Sequence, residues 1–251
     1  MKKKLLIIAM LSAGLPLAGC QSTGVDIGGM ATAGASLAKA ATLSDEDVKA
    51  LGLKTSALED SQHTALDASS KQGKRLAALT KGWTDVDGMK INFKAYQSSE
   101  INAFAVPDGS VRVYSGLMDN FSDDELRYVL AHEIGHIMSG HSKKALQTAY
   151  TTAAAREAAA ASGNQAVSAL SASQLGAIGE ALVNAQFSQA QENEADDYAV
   201  DFLKKRGLNP KGSVTALRKL EKMYGNERSV FSSHPSPGER AKRMEERVSA
   251  R

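Results

Sequence analysis

Residues 122–136 read SDDELRYVLAHEIGH, and this stretch decides the fold. It carries an H-E-x-x-H array made by His132, Glu133 and His136. Positions i and i+4 of an α-helix share a face, so the two imidazoles can converge on one metal ion with Glu133 beside it. One turn of helix then supplies two ligands and a base, and the array predicts a zinc hydrolase.

The residues around the array predict where its helix begins and ends. Ser122 and Glu125 form an S-x-x-E capping box, and Phe121 and Leu126 flank it as a hydrophobic staple. Gly140 predicts the end of the helix. Apolar residues recur at helical spacing, so we expect one side of the helix to be buried, with both histidines near the edge of that side. These residues are Leu126, Val129, Leu130, Ile134 and Ile137.

The N-terminus has the layout of a cleaved secretory signal over residues 1–19. Three lysines precede an apolar run from Leu5 to Leu17, and the run ends in L-A-G-C at residues 17–20. A membrane span is the alternative, but the run is shorter than the roughly 20 apolar residues that cross a bilayer. The tetrad resembles a bacterial lipobox, which implies lipidation of Cys20. Gln21 follows, and by resemblance to Gram-negative lipoproteins this implies an outer-membrane anchor facing the periplasm.

Composition narrows the classes of protein and of site. Cys20 is the only cysteine, so an intramolecular disulfide and thiolate metal ligands are both excluded. Loss of the three signal lysines changes the formal charge from +2 to −1 (2 − 3 = −1), and a near-neutral surface predicts no nucleic-acid partner. The 232 residues that remain (251 − 19) suffice for one domain with a full core.

The mature chain divides into a tether and one domain. Residues 20–43 are rich in Gly, Ala, Ser and Thr, and we expect a flexible lipid-anchored tether. Ser44 opens a helical region in a domain that spans residues 44–251. An alanine-rich stretch at residues 151–162 predicts either a surface helix or a movable lid.

The only period-two pattern lies between Trp83 and Tyr114. Turn-forming residues at 107–110 predict a hairpin that joins residues 101–106 to residues 111–114. The expected fold class is therefore α+β and mostly helical, with a small sheet or hairpin beside the H-E-x-x-H helix.

A third metal ligand must come from elsewhere, because two histidines do not make a zinc site. Glu192 and Asp196 share one stripe of a predicted helix, so one carboxylate could bind the metal while the other supports the site. Glu194 points elsewhere. The alternative is an acidic helix face in contact with solvent.

The other histidines fall outside the array. His141 lies five residues after His136, so on a continuous helix its side chain is rotated away from the ligand pair, and we expect it to cap the helix. His63 is predicted to lie on the surface. His234 lies in a loop beside a helix start at residues 236–239, where a structural role is the alternative to one near the metal.

Four motifs in this order resemble the zinc metallopeptidase family of HtpX, BepA and the CAAX prenyl endopeptidases. They are H-E-x-x-H, E-x-x-A-D at residues 192–196, G-L-N-P at residues 207–210 and H-P-x-P at residues 234–237. The resemblance covers residues 62–248. It implies a zincin-like domain without membrane helices, and one Zn²⁺ per chain bound by His132, His136 and Glu192.

The same resemblance implies roles for other residues. Glu133 is expected to act as the base, with Asp196 and Arg240 behind the ligands. His234 is expected to stabilise the oxyanion or to occupy the open zinc position in a resting state. The strand formed by Asn102, Ala103, Phe104 and Ala105 is expected to pair with an extended substrate backbone.

The resemblance further implies an endopeptidase that cleaves misfolded or unassembled envelope proteins. Its expected partners are those substrates, the outer membrane and, in addition, other periplasmic proteases or outer-membrane assembly factors. The competing hypothesis is a chaperone or adaptor lipoprotein that rarely cuts. Prenyl-peptide processing is a third possibility, but it needs a membrane-embedded chamber that this chain lacks.

Overall fold

The computed structural model describes residues 27–161, 187–225, 234 and 236–249. Its helices are α1 (Ile27–Thr42), α2 (Asp45–Gln62), α3 (Lys71–Leu79), α4 (Ser115–Asn120), α5 (Asp123–Met138), α6 (His141–Ala161), α7 (Gln189–Lys205), α8 (Gly212–Tyr224) and α9 (Pro237–Ser249). Its strands are β1 (Asp85–Val86), β2 (Met89–Lys90), β3 (Asn92–Tyr96), β4 (Ala103–Ala105) and β5 (Ser110–Tyr114). The prediction of a mostly helical α+β fold is confirmed. Within these ranges, no helix combines the length and the apolar character that a membrane span requires.

The predicted hairpin is present, and it forms one side of a three-stranded sheet. β4 pairs antiparallel with β5, and β3 pairs parallel with β5 on the other side, so the strand order is β3-β5-β4. Gly109 closes the turn with a φ of +95°, and a Cβ there would lie 2.0 Å from the carbonyl oxygen of Lys90. Only glycine fits that position.

Helix α5 runs through the centre of the domain. The predicted capping box is present: the Ser122 N–H donates to Glu125 at 2.8 Å, and the Glu125 N–H donates to the Ser122 hydroxyl at 3.4 Å. The helix ends at Met138, and Gly140 follows with a φ of +67°. Every residue from 130 to 137 is buried, because the sheet, α7 and α8 all pack against this helix. The histidines therefore lie inside the core and not at its edge.

The predicted flexible tether is wrong for residues 27–42, which form α1. Alanine has the highest helix propensity, and the small side chains of this segment let α1 pack closely against the alanine-rich α6. Ala33 and Ala40 are buried, and the Ser36 hydroxyl donates to Glu157 at 2.9 Å. The alanine-rich stretch is helical up to residue 161 and forms the last part of α6. Residues 1–26, which include Cys20, lie outside the described ranges.

A buried ion pair fixes α2 to the sheet. The guanidinium of Arg112 on β5 is 2 % exposed and donates to both carboxylate oxygens of Asp60 on α2, at 2.9 and 3.0 Å. Lys94 and Tyr96 on β3 also donate to Asp60, each at 2.6 Å. Partial burial raises the pKa of Asp60, but these hydrogen bonds outweigh it and lower that pKa to about 2.

We predict that Asp60→Asn destabilises the fold by about 2 kcal/mol at pH 7, since a shift of one pKa unit corresponds to about 1.4 kcal/mol. The folded pKa lies below the ordinary 3.8, so this contribution is complete above that value and is lost as the pH falls toward 2. Urea unfolding of both proteins should show the difference shrinking to about half at pH 3. A difference that stays constant with pH would contradict the prediction.

Candidate metal centre

The site forms where α5 packs closely against α7. Gly135 permits this contact, because a Cβ at that position would lie 3.0 Å from the backbone oxygen of Ala195. The crossing places the carboxylate of Glu192 against the paired imidazoles. Its Oε2 lies 3.6 Å from Nε2 of His132, and its Oε1 lies 3.4 Å from Nε2 of His136.

His234 joins these three side chains from the segment before α9. Its Nδ1 lies 2.9 Å from Oε1 of Glu192 and 3.3 Å from Nε2 of His132. One ligand atom from each of His132, His136, Glu192 and His234 lies within 4.8 Å of all the others. The structure therefore brings together the three predicted ligands and the loop histidine.

Asp196 lies one helical turn after Glu192 and is fully buried behind His132. Its Oδ1 is 2.9 Å from Nδ1 of His132 and accepts the Tyr128 hydroxyl at 2.6 Å. Burial opposes ionisation of Asp196, but Arg240 and His132 outweigh it and hold its pKa well below the usual range. An ionised carboxylate only accepts hydrogen bonds, so Nδ1 of His132 carries the proton and its Nε2 lone pair faces the cluster.

Arg240 holds both buried carboxylates. Its Nη1 lies 2.5 Å from Oε2 of Glu192, while its Nε and Nη2 donate to Asp196 at 2.9 and 2.6 Å. The guanidinium is 4 % exposed, and this pairing keeps both carboxylates charged although they are buried. The sequence motifs do not include Tyr128, which donates to Asp196, and only its position one helical turn before His132 indicates a place near the site.

The donor set fits a divalent metal ion. Oε2 of Glu192 is buried and accepts no hydrogen bond from any described residue, although Arg240 lies beside it. The Nε2 atoms of His132 and His136 face each other at 3.1 Å. Burial and Arg240 disfavour a charged His132, yet its contacts with Asp196 and Glu192 raise its pKa to about 9, so Nε2 of His132 binds a proton readily and a metal ion would take that proton's place. Converging lone pairs in surroundings that favour positive charge are the features of a cation site.

The prediction for His141 is wrong. It does not cap α5, because the helix stops at Met138 and the left-handed Gly140 turns the chain back. His141 begins α6 with its side chain 1 % exposed, and its Nδ1 lies 2.9 Å from Nδ1 of His136. His63 is not simply a surface residue either, since its ring stacks on Tyr96 at 4.8 Å.

A cleft leads to Glu133 and has a mostly apolar lining. It is partly open to solvent. Burial raises the pKa of Glu133, which favours its action as a base near neutral pH. The walls of the cleft include Ala103, Leu117, Val129, Leu217 and Leu220.

Strand β4 contributes to the cleft through one of the predicted substrate-strand residues. Ala103 lines it, whereas Phe104 points to the other side of the sheet and packs with Tyr96 and Tyr114. Asn102 precedes the strand, and its carbonyl accepts the Tyr114 N–H at 3.0 Å. Ala105 pairs with Val111 at the far end of the strand.

Comparison with known proteins identifies the family. The model of Peptidase family M48 matches residues 71–248, which contain α5, α7 and all four members of the cluster. This chain belongs to peptidase family M48. The predicted resemblance and the predicted metalloprotease activity are thereby confirmed.

Three relatives illustrate the match. The chain is 44 % identical to the metalloprotease LoiP and 42 % identical to the metalloprotease YcaL, both of Escherichia coli; the alignments cover all of this chain and 98 % and 99 % of those proteins. It is 30 % identical to the β-barrel assembly-enhancing protease of the same organism, over 59 % of this chain and 32 % of that protein.

We predict that a divalent metal stabilises the fold. At a free zinc concentration about 100 times its Kd, the gain is about 2.7 kcal/mol, or roughly 5–10 °C in Tm for a chain of this size. Thermal unfolding with zinc and with EDTA measures it. His136→Asn is the control that should lose the difference, and equal Tm values for the wild type in both conditions would contradict a metal centre.

Proposed function

We propose that this M48 metalloprotease is a zinc-dependent endopeptidase that cleaves misfolded or unassembled envelope proteins. The observation that carries the proposal is the cluster of His132, His136 and Glu192 beside a buried Glu133 at the end of a cleft. Two imidazoles and a carboxylate on one ion form the ligand set of zinc peptidases that activate water.

Glu133 acts as the base in this proposal. Bound zinc would supply a Lewis acid that polarises the substrate carbonyl and lowers the pKa of water to near 7. Glu133 takes the proton from the attacking water and transfers it to the nitrogen of the departing amine. Asp196 holds the ring of His132, and Arg240 holds Glu192 and Asp196, so the ligands need little rearrangement during the reaction.

Two features support unfolded chains as substrates. β4 is an edge strand that pairs only with β5 among the described strands, so an extended backbone can add to its outer edge. The apolar cleft next to Glu133 suits an apolar side chain, and folded proteins bury such side chains whereas unfolded ones expose them. Recognition of this kind depends on shape more than on sequence.

The proposed location is the periplasmic face of the outer membrane, through a lipid on Cys20. The L-A-G-C tetrad and the following Gln21 support it. A relative named for β-barrel assembly supports a role near outer-membrane assembly factors, which we include among the proposed partners together with other periplasmic proteases.

We predict that Glu133→Gln lowers the cleavage rate of an unfolded protein by about 10²–10⁴-fold, the usual contribution of a positioned base. Zinc content should not change, because none of the three ligands is altered. Glu246→Gln, an exposed residue on α9, is the matched control and should keep full activity. Undiminished cleavage by Glu133→Gln would remove this residue from its role.

A second candidate function, a chaperone or adaptor that rarely cuts, has one observation in its favour. His234 lies among the ligands, and its Nε2 is 3.5 Å from Oε1 of Glu133. It therefore occupies the space between the base and Glu192 where a substrate carbonyl would have to enter. We propose that this is a resting state.

We predict that His234→Ala cleaves an unfolded substrate several-fold faster than the wild type while keeping its zinc, because the entrance to Glu133 is cleared. Initial rates and zinc content, measured on the same samples, test it. Slower cleavage would assign His234 to stabilisation of the oxyanion. If zinc is bound and neither protein cleaves, the binding function is correct.

A further inference from the structure

His141 and Glu194 form a chain of contacts that ends on one of the metal ligands. Nδ1 of His141 lies 2.9 Å from Nδ1 of His136, and Nε2 of His141 lies 3.2 Å from Oε2 of Glu194. The Nε2 of His136 points the other way, toward Glu192 at 3.4 Å. His141 therefore approaches the edge of the His136 ring that faces away from the cluster.

The polarity of this chain follows from its carboxylate end. Glu194 is 61 % exposed and accepts, so Nε2 of His141 carries the proton that it donates. The two Nδ1 atoms lie 2.9 Å apart and share one proton, so a His141 ring whose own proton is on Nε2 accepts at Nδ1. Nδ1 of His136 must then be the donor, which leaves its Nε2 without a proton and able to bind a metal.

We propose that His141, backed by Glu194, is a positioning residue that fixes the tautomer and ring orientation of His136 for metal binding. The two ligand histidines then have equivalent supports: Asp196 accepts directly from His132, and Glu194 acts on His136 through His141. Phe187 stacks on the face of the His136 ring, with centroids 3.9 Å apart, and completes its restraint.

A role in packing alone explains these contacts poorly. A buried imidazole needs polar partners on both nitrogens, whereas an apolar side chain would fill the same space without them. Glu194 is 61 % exposed, so water competes for its carboxylate and the hydrogen bond from His141 adds little to stability. What the pair supplies is the direction of a hydrogen bond at His136.

The test is the Kd for zinc, measured by chelator competition. His141→Leu removes the acceptor and should weaken zinc binding by about 10–100-fold, the usual effect of losing such a partner. His141→Asn keeps an acceptor near the place of Nδ1 and should remain within about threefold of the wild type. Urea unfolding of the metal-free proteins reports structural damage separately. Equal Kd values for the wild type and His141→Leu would overturn the inference.

Glu194 gives an independent test if His141→Leu does not fold. Glu194→Ala should weaken zinc binding by about 10-fold, and Glu194→Gln, which retains an accepting oxygen, should recover most of it. Asp201→Asn, an exposed carboxylate on the same helix, is the control and should leave the Kd unchanged. An unchanged Kd in Glu194→Ala would overturn the inference. The inference rests on the proposed zinc site. A wild type that binds no zinc would instead contradict the proposed zinc site itself.

Discussion

The close contact between α5 and α7 at Gly135 and Ala195 is the constraint on which the site depends. A glycine between the two histidines of the array lets the backbone of α7 approach α5, and Glu192 thereby comes within 3.6 Å of His132. A larger side chain at residue 135 would separate the helices and with them the ligands. The apolar residues around α5 and α7 hold this contact, so the same packing that forms the core also brings the ligands together.

The burial of charged side chains is the second constraint on the site. Glu192 and Asp196 are inaccessible to solvent, and an unpaired carboxylate in such a place would cost several kcal/mol. Arg240 offsets part of that cost by pairing with both. It balances only one of the two negative charges, so the surroundings favour an additional cation at His132 and His136. The same low polarity that makes these charges costly strengthens their action on a substrate.

Features encoded by neighbouring residues were predictable, and features that depend on distant packing were not. The helix start at Ser122 and the hairpin turn at Gly109 follow from local hydrogen bonds and backbone sterics, so the sequence shows them directly. No short turn joins β3 to β5, so their parallel pairing leaves no local signal in the sequence. The position of His141 depends on a chain reversal at Gly140, which helical periodicity cannot represent. α1 is helical where composition suggested a tether, because α6 packs on it.

X-ray absorption at the zinc edge of the purified protein tests the ligand assignment most directly. The structure predicts a shell of nitrogen and oxygen atoms at about 2.0–2.2 Å with imidazole scattering and no sulfur. In Glu192→Ala the shell should lose a protein oxygen, and the affinity for zinc should fall while the imidazole contribution remains. A shell that is identical in the two proteins, or one that contains sulfur, would show that α5 and α7 do not together bind the metal.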